Sequence, residues 1–189
     1  MARYHGPKAR INRRLSALIF ENAGAARASG RRENAPGMHV RGGRRLSNYG
    51  VASAEKQKIK YYYGIAEKQL RRFFAKASSG KGNSGENLMT LCERRLDNVI
   101  RRAGYTRSRP QARQGIVHGH FLVNGIKVTS PSYQLRPGDV ITIRPQEAIY
   151  NLYKGAGMSS EGSPPDWITF DGEALRATVQ RIPGPGDYS

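Results

Sequence analysis

Gly80-Lys81-Gly82-Asn83-Ser84-Gly85 carries the letters G-x-G-x-x-G, the pattern of a loop that cradles a dinucleotide pyrophosphate. That chemistry needs a preceding strand in a βαβ unit, whereas the residues before Gly80 have helical spacing, and no Lys-Ser/Thr pair follows to make a P-loop. What remains is a Gly-rich turn offering Lys81 and Asn83 at a helix N-terminus, where free N–H groups and the helix dipole favour a phosphate. A purely structural turn is the competing reading. His118 and His120 are two apart with no Cys, Asp or Glu beside them, which is too poor a set for a metal, so they read as turn or nucleic-acid contacts. Cys92 is the only cysteine, which excludes an internal disulfide and a cysteine-rich zinc site; it reads as a small buried apolar residue. No cofactor site and no local Ser/His/Asp arrangement stands out.

Cations dominate the remaining chemistry. The chain has 32 Lys+Arg against 14 Asp+Glu, a formal net charge of +18 and a pI of about 10.6, which selects a polyanionic partner. The excess is uneven: net +14 through Leu91, +6 from Cys92 to Tyr150 and −2 from Asn151 onward, so the polyanion surface is expected in the N-terminal and central parts. Arg107, Arg109 and Arg113 gather around one short helix near Lys127 and make a forked-donor face suited to phosphate. Tyr49, Tyr61, Tyr62 and Tyr63 lie among Lys56, Lys58 and Lys60, where aromatics either stack on unpaired bases or pack in a core. No run of 18 apolar residues exists and the start has no apolar signal core, so neither a membrane span nor a secretory peptide is expected. Arg95-Leu96-Asp97 is similar to the motif in which pseudouridine synthases carry their nucleophilic aspartate, but the Ser/Thr-x-Gly that should follow is missing. Asp97 is expected to pair with Arg101 and Arg94 on a helix surface instead.

These groups need elements to hold them. The first twenty residues read as a basic arm with an apolar patch at Leu15, Leu18, Ile19 and Phe20, and Asn22 to Arg45 as a Gly/Ala/Arg-rich loop that orders on a partner or serves as a linker. Ser53 is the expected N-cap of a helix over Ala54 to Tyr63; Gly64 separates it from a second helix over Ile65 to Ala77. Leu88, Leu91, Cys92, Leu96, Val99, Ile100 and Ala103 predict one continuous helix ending at Gly104, with Arg94, Arg95, Arg101 and Arg102 outside. Ser108-Arg-Pro-Gln111 has the form of a capping box for a short helix ending near Gly119. Phe121–Val123, Asn124-Gly125 and Ile126–Val128 predict a hairpin with a type I′ turn, and Val140–Arg144 a third strand after Pro137-Gly138-Asp139. The class is α+β, a mostly helical N-terminal body plus a small module of two helices and an antiparallel sheet.

Arg95-Leu-Asp-Asn-Val-Ile to Gly104, Ser108-Arg-Pro-Gln-Ala-Arg-Gln to Gly119, Val123-Asn-Gly125 and Pro137-Gly-Asp139 resemble the S-four RNA-binding domain. Met1-Ala-Arg-Tyr4, Gly6-Pro-Lys8, Leu46-Ser-Asn-Tyr-Gly50, Glu55-Lys-Gln-Lys58, Glu67-Lys-Gln69 and Gly85-Glu-Asn87 resemble, in order, the ribosomal protein S-four family in particular. The likeness is strong to about residue 150 and weaker to Pro183. It implies a cysteine-free form, since Ala9 stands where many bacterial members carry the first cysteine of a zinc cluster. It also implies a basic arm and helical rRNA-binding body over 1–91, an inserted S-four module over 92–150 whose first helix starts near 85, and a tail over 151–189 that returns to the body. The chain stops before the family's final strand-like segment, which bears on how that tail docks.

The function implied is that of a non-enzymatic constituent of the small ribosomal subunit. The resemblance makes it a primary binder of 16S-type rRNA that nucleates assembly, beside ribosomal proteins S-five and S-three and the messenger entry path, with an influence on translational accuracy. Its place would be the bacterial cytoplasm or a plastid stroma. The expected rRNA contacts are Arg3, Tyr4, Lys8, Arg10, Arg13 and Arg14 in the arm; Arg44, Arg45, Tyr49, Lys56, Lys58, Arg71 and Arg72 in the body; Lys81 and Asn83 at the turn; and Arg94, Arg95, Arg107, Arg109, Arg113, His118 and Lys127 in the module. No metal, small-molecule substrate or membrane partner is expected. The alternatives are an RNA-modifying enzyme of the pseudouridine synthase kind, for which too few residues remain to build a catalytic domain, and a ribosome-associated RNA chaperone.

Overall fold

The structure, a computed structural model, describes residues 4–20, 22–32, 34–38, 46–154 and 164–188. Arg3, Arg44 and Arg45 lie outside the described residues. The chain divides into two compact units, Met1–Leu70 and Arg71–Ser189.

In the first unit the arm is helical where a basic arm with an apolar patch was expected. α1 (Lys8–Leu15) buries Ile11 and Leu15, which with Ile19 form a small cluster flanked by Phe20, Ala54, Tyr61 and Tyr62. Leu18, predicted in the same patch, is exposed. Ser16 in the left-handed region ends the helix, and Asn12 clamps the turn beyond it: its Oδ1 accepts from the Ile19 and Phe20 amides at 3.2 and 3.0 Å and its Nδ2 donates to the Phe20 carbonyl at 3.2 Å. The expected loop from Asn22 also contains a helix, α2 (Ala23–Arg31). Its alanines are the best helix formers and outweigh two glycines, although it buries only Ala25. α3 spans Asn48–Tyr62, starting earlier than Ser53 predicts. Ser47 is the N-cap, its Oγ accepting from the Gly50 amide at 3.2 Å, and in that first turn the helix tolerates the glycine. Gly64, at φ 61°, makes the break before α4 (Glu67–Ser78), the helix in which the unit boundary falls.

In the second unit the predicted continuous helix is two. α5 (Ser84–Glu93) and α6 (Leu96–Arg102) are separated at Arg94 and Arg95, where the backbone turns extended at Arg95 and the chain exchanges hydrogen bonds with residues 131–135. Arg95 forms an antiparallel bridge with Gln134, the Leu135 amide donates to the Arg94 carbonyl at 2.9 Å, and the Leu96 amide to the Tyr133 carbonyl at 2.9 Å. Helical spacing of apolar residues runs through the break because both helices bury residues there. Ser108 precedes α7 (Arg109–Val117), but the capping box does not form: the Gln111 Oε1 accepts from the Arg107 amide, one residue too early. The hairpin is as expected, with β1 (Phe121–Val123) paired to β2 (Ile126–Lys127) across Asn124 and Gly125 at φ 52° and 78°, the two positive angles of a type I′ turn. β3 (Val140–Ile143) pairs with β1.

Beyond α8 (Glu147–Lys154) the tail, expected to return to the body, first adds two strands to the same sheet. β4 (Ile168–Asp171) and β5 (Arg176–Val179) form a second hairpin whose β5 pairs with β3, giving the antiparallel order β2-β1-β3-β5-β4. Four-residue strands around a turn with Leu175 at φ 46° give too short an alternation to stand out in sequence. Residues 183–188 then run along α5: the Thr90 hydroxyl donates to the Pro183 carbonyl at 3.3 Å, and the Tyr188 hydroxyl bonds the Thr90 hydroxyl at 2.9 Å and the Glu86 carbonyl at 3.1 Å. One core joins α6, α7 and the sheet through Leu96, Ile100, Ile116, Phe121, Ile141 and Trp167. Tyr105 pins the α6–α7 connection to it, its hydroxyl within 3.1 Å of the Ile141 and 2.9 Å of the Leu175 carbonyl.

Candidate nucleic-acid interface

The arginines of the small module are ordered by two buried acids. Asp97, in the first turn of α6, is 1% exposed and lies between two guanidiniums. Arg95 Nε and Nη2 reach its Oδ1 and Oδ2 at 3.0 and 2.7 Å, and Arg113 Nε and Nη2, from α7, reach Oδ2 at 3.2 and 2.7 Å. The surface pairing of Asp97 with Arg101 and Arg94 is therefore replaced by an interior one. The reason is position: Asp97 follows Leu96 at the buried start of α6 and lies against α7. Beside it, Asn98 Oδ1 accepts from Arg109 Nε at 2.9 Å, while its Nδ2 donates to the Glu93 carbonyl at 3.0 Å and carboxylate at 2.6 Å. Glu93, fully buried, also holds Arg102 at 2.8 Å, and Arg102 reaches the Asp187 carbonyl of the tail at 3.1 Å.

Among the predicted contacts in this unit, Arg107, Lys127, Lys81, Arg71, Arg72 and His118 are exposed. The end of the Lys127 side chain lies over Gly119, which closes α7 at φ 74°, a backbone conformation that other residues resist. Arg109 and Arg113 are half-buried in the network just described, and Arg95 is buried, its guanidinium also over the Phe73 ring at 5.8 Å. Arg94 is half-buried and donates to the Leu135 carbonyl at 2.7 Å; burial, and then the charge of Arg136, hold its guanidinium below its ordinary pKa, against a weaker opposing pull from Asp139. His120 is drawn down by burial and by His118, and its Nδ1 bonds the Tyr153 hydroxyl at 3.0 Å. The Gly-rich turn sits between α4 and α5, so a helix and not a strand precedes it. Asn83 is its N-cap, Oδ1 accepting from the Gly85 amide at 2.8 Å, and Lys81 projects beside it into solvent.

In the first unit Arg10 and Arg14 are exposed, and Arg13 donates to the Asn34 carbonyl at 2.8 Å. Lys56 is paired with Glu67 at 2.9 Å and Lys58 with Glu55 at 2.7 Å. Those lysines are thus partly neutralised, and Glu67 is held below its usual pKa by hydrogen bonds from Lys56 and Lys60. The tyrosines divide. Tyr63 is buried; Tyr61 meets Tyr4 edge-on at 5.3 Å and joins Phe20, with Lys8 over the Phe20 ring and Lys60 over Tyr61; Tyr49 is 84% exposed and available for stacking.

Sequence reasoning missed Glu93, Asn98 and Arg102 as builders of this face, and Arg136 as the neighbour of Arg94. A signal for the first two exists: Glu93 follows Cys92 and Asn98 precedes Val99 in a stripe of core residues, so a polar side chain there must find a buried partner.

Residues 3–93 match the family model described as Ribosomal protein S4/S9 N-terminal domain, and residues 94–141 match the S4 domain. The chain is similar to Small ribosomal subunit protein uS4 of Rhodopirellula baltica, at 60% identity over all of this chain and 93% of that protein. It is likewise similar to the proteins of that name from Persephonella marina, at 44% identity, and Chloroflexus aurantiacus, at 42%, each match covering 97% of this chain and 90% of the relative.

Proposed function

The chain belongs to the family of small ribosomal subunit protein uS4, and on that premise we propose that it grips small-subunit rRNA by neutralising phosphates and fitting the shape of the folded RNA. It is a structural constituent of the small subunit and not an enzyme. The observation that carries the RNA-binding face is the burial of its acids. From Glu93 to His120 there are seven arginines and two acids, and both acids lie in the interior, so the charge this segment turns outward is cationic. Of the cations proposed for that face, Arg107, Lys127 and His118 are exposed, Arg94, Arg109 and Arg113 are half-buried, and Arg95 serves from the interior. Lys81 and Asn83 offer a second phosphate contact at the start of α5, and the cations of α4 and the arm, with Tyr4 and Tyr49, supply the rest.

The functional division is residues 1–91 as the rRNA-binding arm and body, 92–150 as the S-four module and 151–189 as the tail that completes its sheet; the junction of the two family matches at Glu93 and Arg94 supports the first boundary. The arm is of the form without a zinc cluster, since Cys92 is the sole cysteine and is buried far along the chain from the arm. The protein binds 16S-type rRNA early and nucleates assembly in the bacterial cytoplasm. It then lies beside ribosomal proteins S-five and S-three and the messenger entry path, where it influences decoding accuracy. The pseudouridine synthase alternative is not favoured, because Asp97 is closed between Arg95 and Arg113.

A titration of naked small-subunit rRNA tests the proposal. With about eight phosphate contacts, log K falls with log salt at a slope of roughly −6 to −7. A slope near zero overturns it.

A further inference from the structure

Asp97 has the wrong sign for the face it supports. A carboxylate among phosphate-binding arginines repels RNA if it reaches solvent, yet this one is buried and spends its two oxygens on guanidiniums from two different elements. Arg95 is fixed: its backbone is bridged to Gln134 and its guanidinium lies over Phe73. Arg113 comes from α7, and its Nε and Nη2 both end on the same Asp97 oxygen. Asp97 therefore ties α7 to an immobile base. One residue on, Asn98 grips Arg109 from the start of the same helix while anchored on Glu93.

We infer that Asp97 is a positioning residue for RNA binding, setting through Arg113 the placement of α7 and of the arginines around it; this rests on the reading of that face as an rRNA contact. The physical reason is preorganisation. A free arginine loses much rotamer freedom when it engages a phosphate, whereas one already held at Nε and Nη2 has lost it during folding. The ion pair costs the face little attraction, because one buried negative charge shared by two arginines leaves the group cationic.

The test is the sign of one substitution in the full chain, bound to naked small-subunit rRNA. Asp97→Asn adds one unit of positive charge. By charge alone it tightens binding, by about fivefold at 0.15 M salt if it gains one phosphate contact. The positioning role predicts the reverse: binding about fivefold weaker, with the salt slope shallower by about one unit. Arg113→Gln gives a similar loss, and the double variant loses no more than Arg113→Gln alone, because both act through one contact. Emission from Trp167, the only tryptophan and fully buried, reports whether each variant is folded. Unchanged or tighter binding by Asp97→Asn while Arg113→Gln binds weakly, or additive losses in the double variant, overturns the inference and leaves the RNA face standing. Unchanged binding after Arg107, Arg109 and Arg113 are all replaced by Gln removes the face and the inference together. If Asp97→Asn does not fold, Arg113→Lys decides: it keeps the charge but not the planar two-point grip. A loss approaching that of Arg113→Gln supports the inference, and affinity within about twofold of wild type overturns it.

Discussion

Cys92 makes the quantitative case that the α5–α6 junction is a true interior. The thiol is fully buried, and burial pushes it from the ordinary 9.0 to about 12, with the charges of Glu93 and Asp97 adding to the rise and Arg95 opposing it. At pH 8 about one thiol in ten is ionised with a pKa of 9.0, against about one in ten thousand at 12, so ionisation alone slows native labelling by a disulfide reagent about a thousandfold relative to the urea-unfolded chain. The same shift is a stability statement. Because the folded pKa is the higher, the stabilisation is complete below pH 9 and is lost as pH rises from there toward 12. At pH 10.5 the loss assigned to Cys92 is about 2 kcal/mol. Tyr105 and Tyr153 are also pushed up by burial and weaken the fold at high pH, but they do so equally in wild type and in Cys92→Ala. The difference in unfolding free energy between the two proteins, from urea titrations followed by Trp167 emission, therefore narrows by about 2 kcal/mol between pH 8 and 10.5. A gap that does not change with pH, or native labelling within about tenfold of the unfolded rate, refutes the reasoning.

Two further outcomes follow from buried polar groups. Tyr105→Phe removes a hydroxyl that bonds the Ile141 and Leu175 carbonyls without leaving a cavity, and should cost about 1–2 kcal/mol in the same urea titration while the folded variant keeps its RNA affinity. His120 is held below the usual 6.5 by burial and by His118, so the folded state binds its proton less readily than the unfolded chain. Stability from this site is present above pH 6.5 and lost as pH falls through the lower folded pKa, and His120→Gln should flatten the acid side of a Tm-against-pH curve.

What was legible in the sequence was whatever local chemistry decides. Asn124-Gly125 demands positive φ at both positions, and the hairpin follows; Gly64, Gly104 and Gly119 end helices because each adopts a conformation other residues resist. The errors came where a distant segment decides. Nothing between Leu88 and Ala103 announces a break at Arg94, because the break is made by residues 131–135 pairing with it. Asp97 reads locally as a surface partner of Arg101, and only the packing of α7 turns it inward to Arg113. The strands near 170 and 177 stayed hidden because each is only four residues long and the hairpin they form is held in the sheet by β3, which pairs with β5 from some thirty-five residues earlier. At the site, the sequence located the cations but not which of them are held in place, since that depends on Glu93, Asp97 and Asn98 being interior.

The two units also differ in how they tolerate their charge. Met1–Leu70 carries 15 Lys+Arg against 4 Asp+Glu, and Arg71–Ser189 carries 17 against 10. Self-repulsion of that kind opposes compaction, and the two units offset it differently. The second spends buried carboxylates on it, at Asp97 and Glu93, under a core that includes a tryptophan, two tyrosines and a phenylalanine. Among its described residues the first buries a smaller apolar set, Ile11, Leu15, Ile19, Ala25, Tyr63, Ile65 and Leu70, and has partly exposed pairs at Glu55 and Glu67, which contribute little in water. RNA phosphates are a denser source of negative charge than either set of acids. The stability gained on binding RNA should therefore fall mainly on the first unit, while the second arrives with its arginines already ordered.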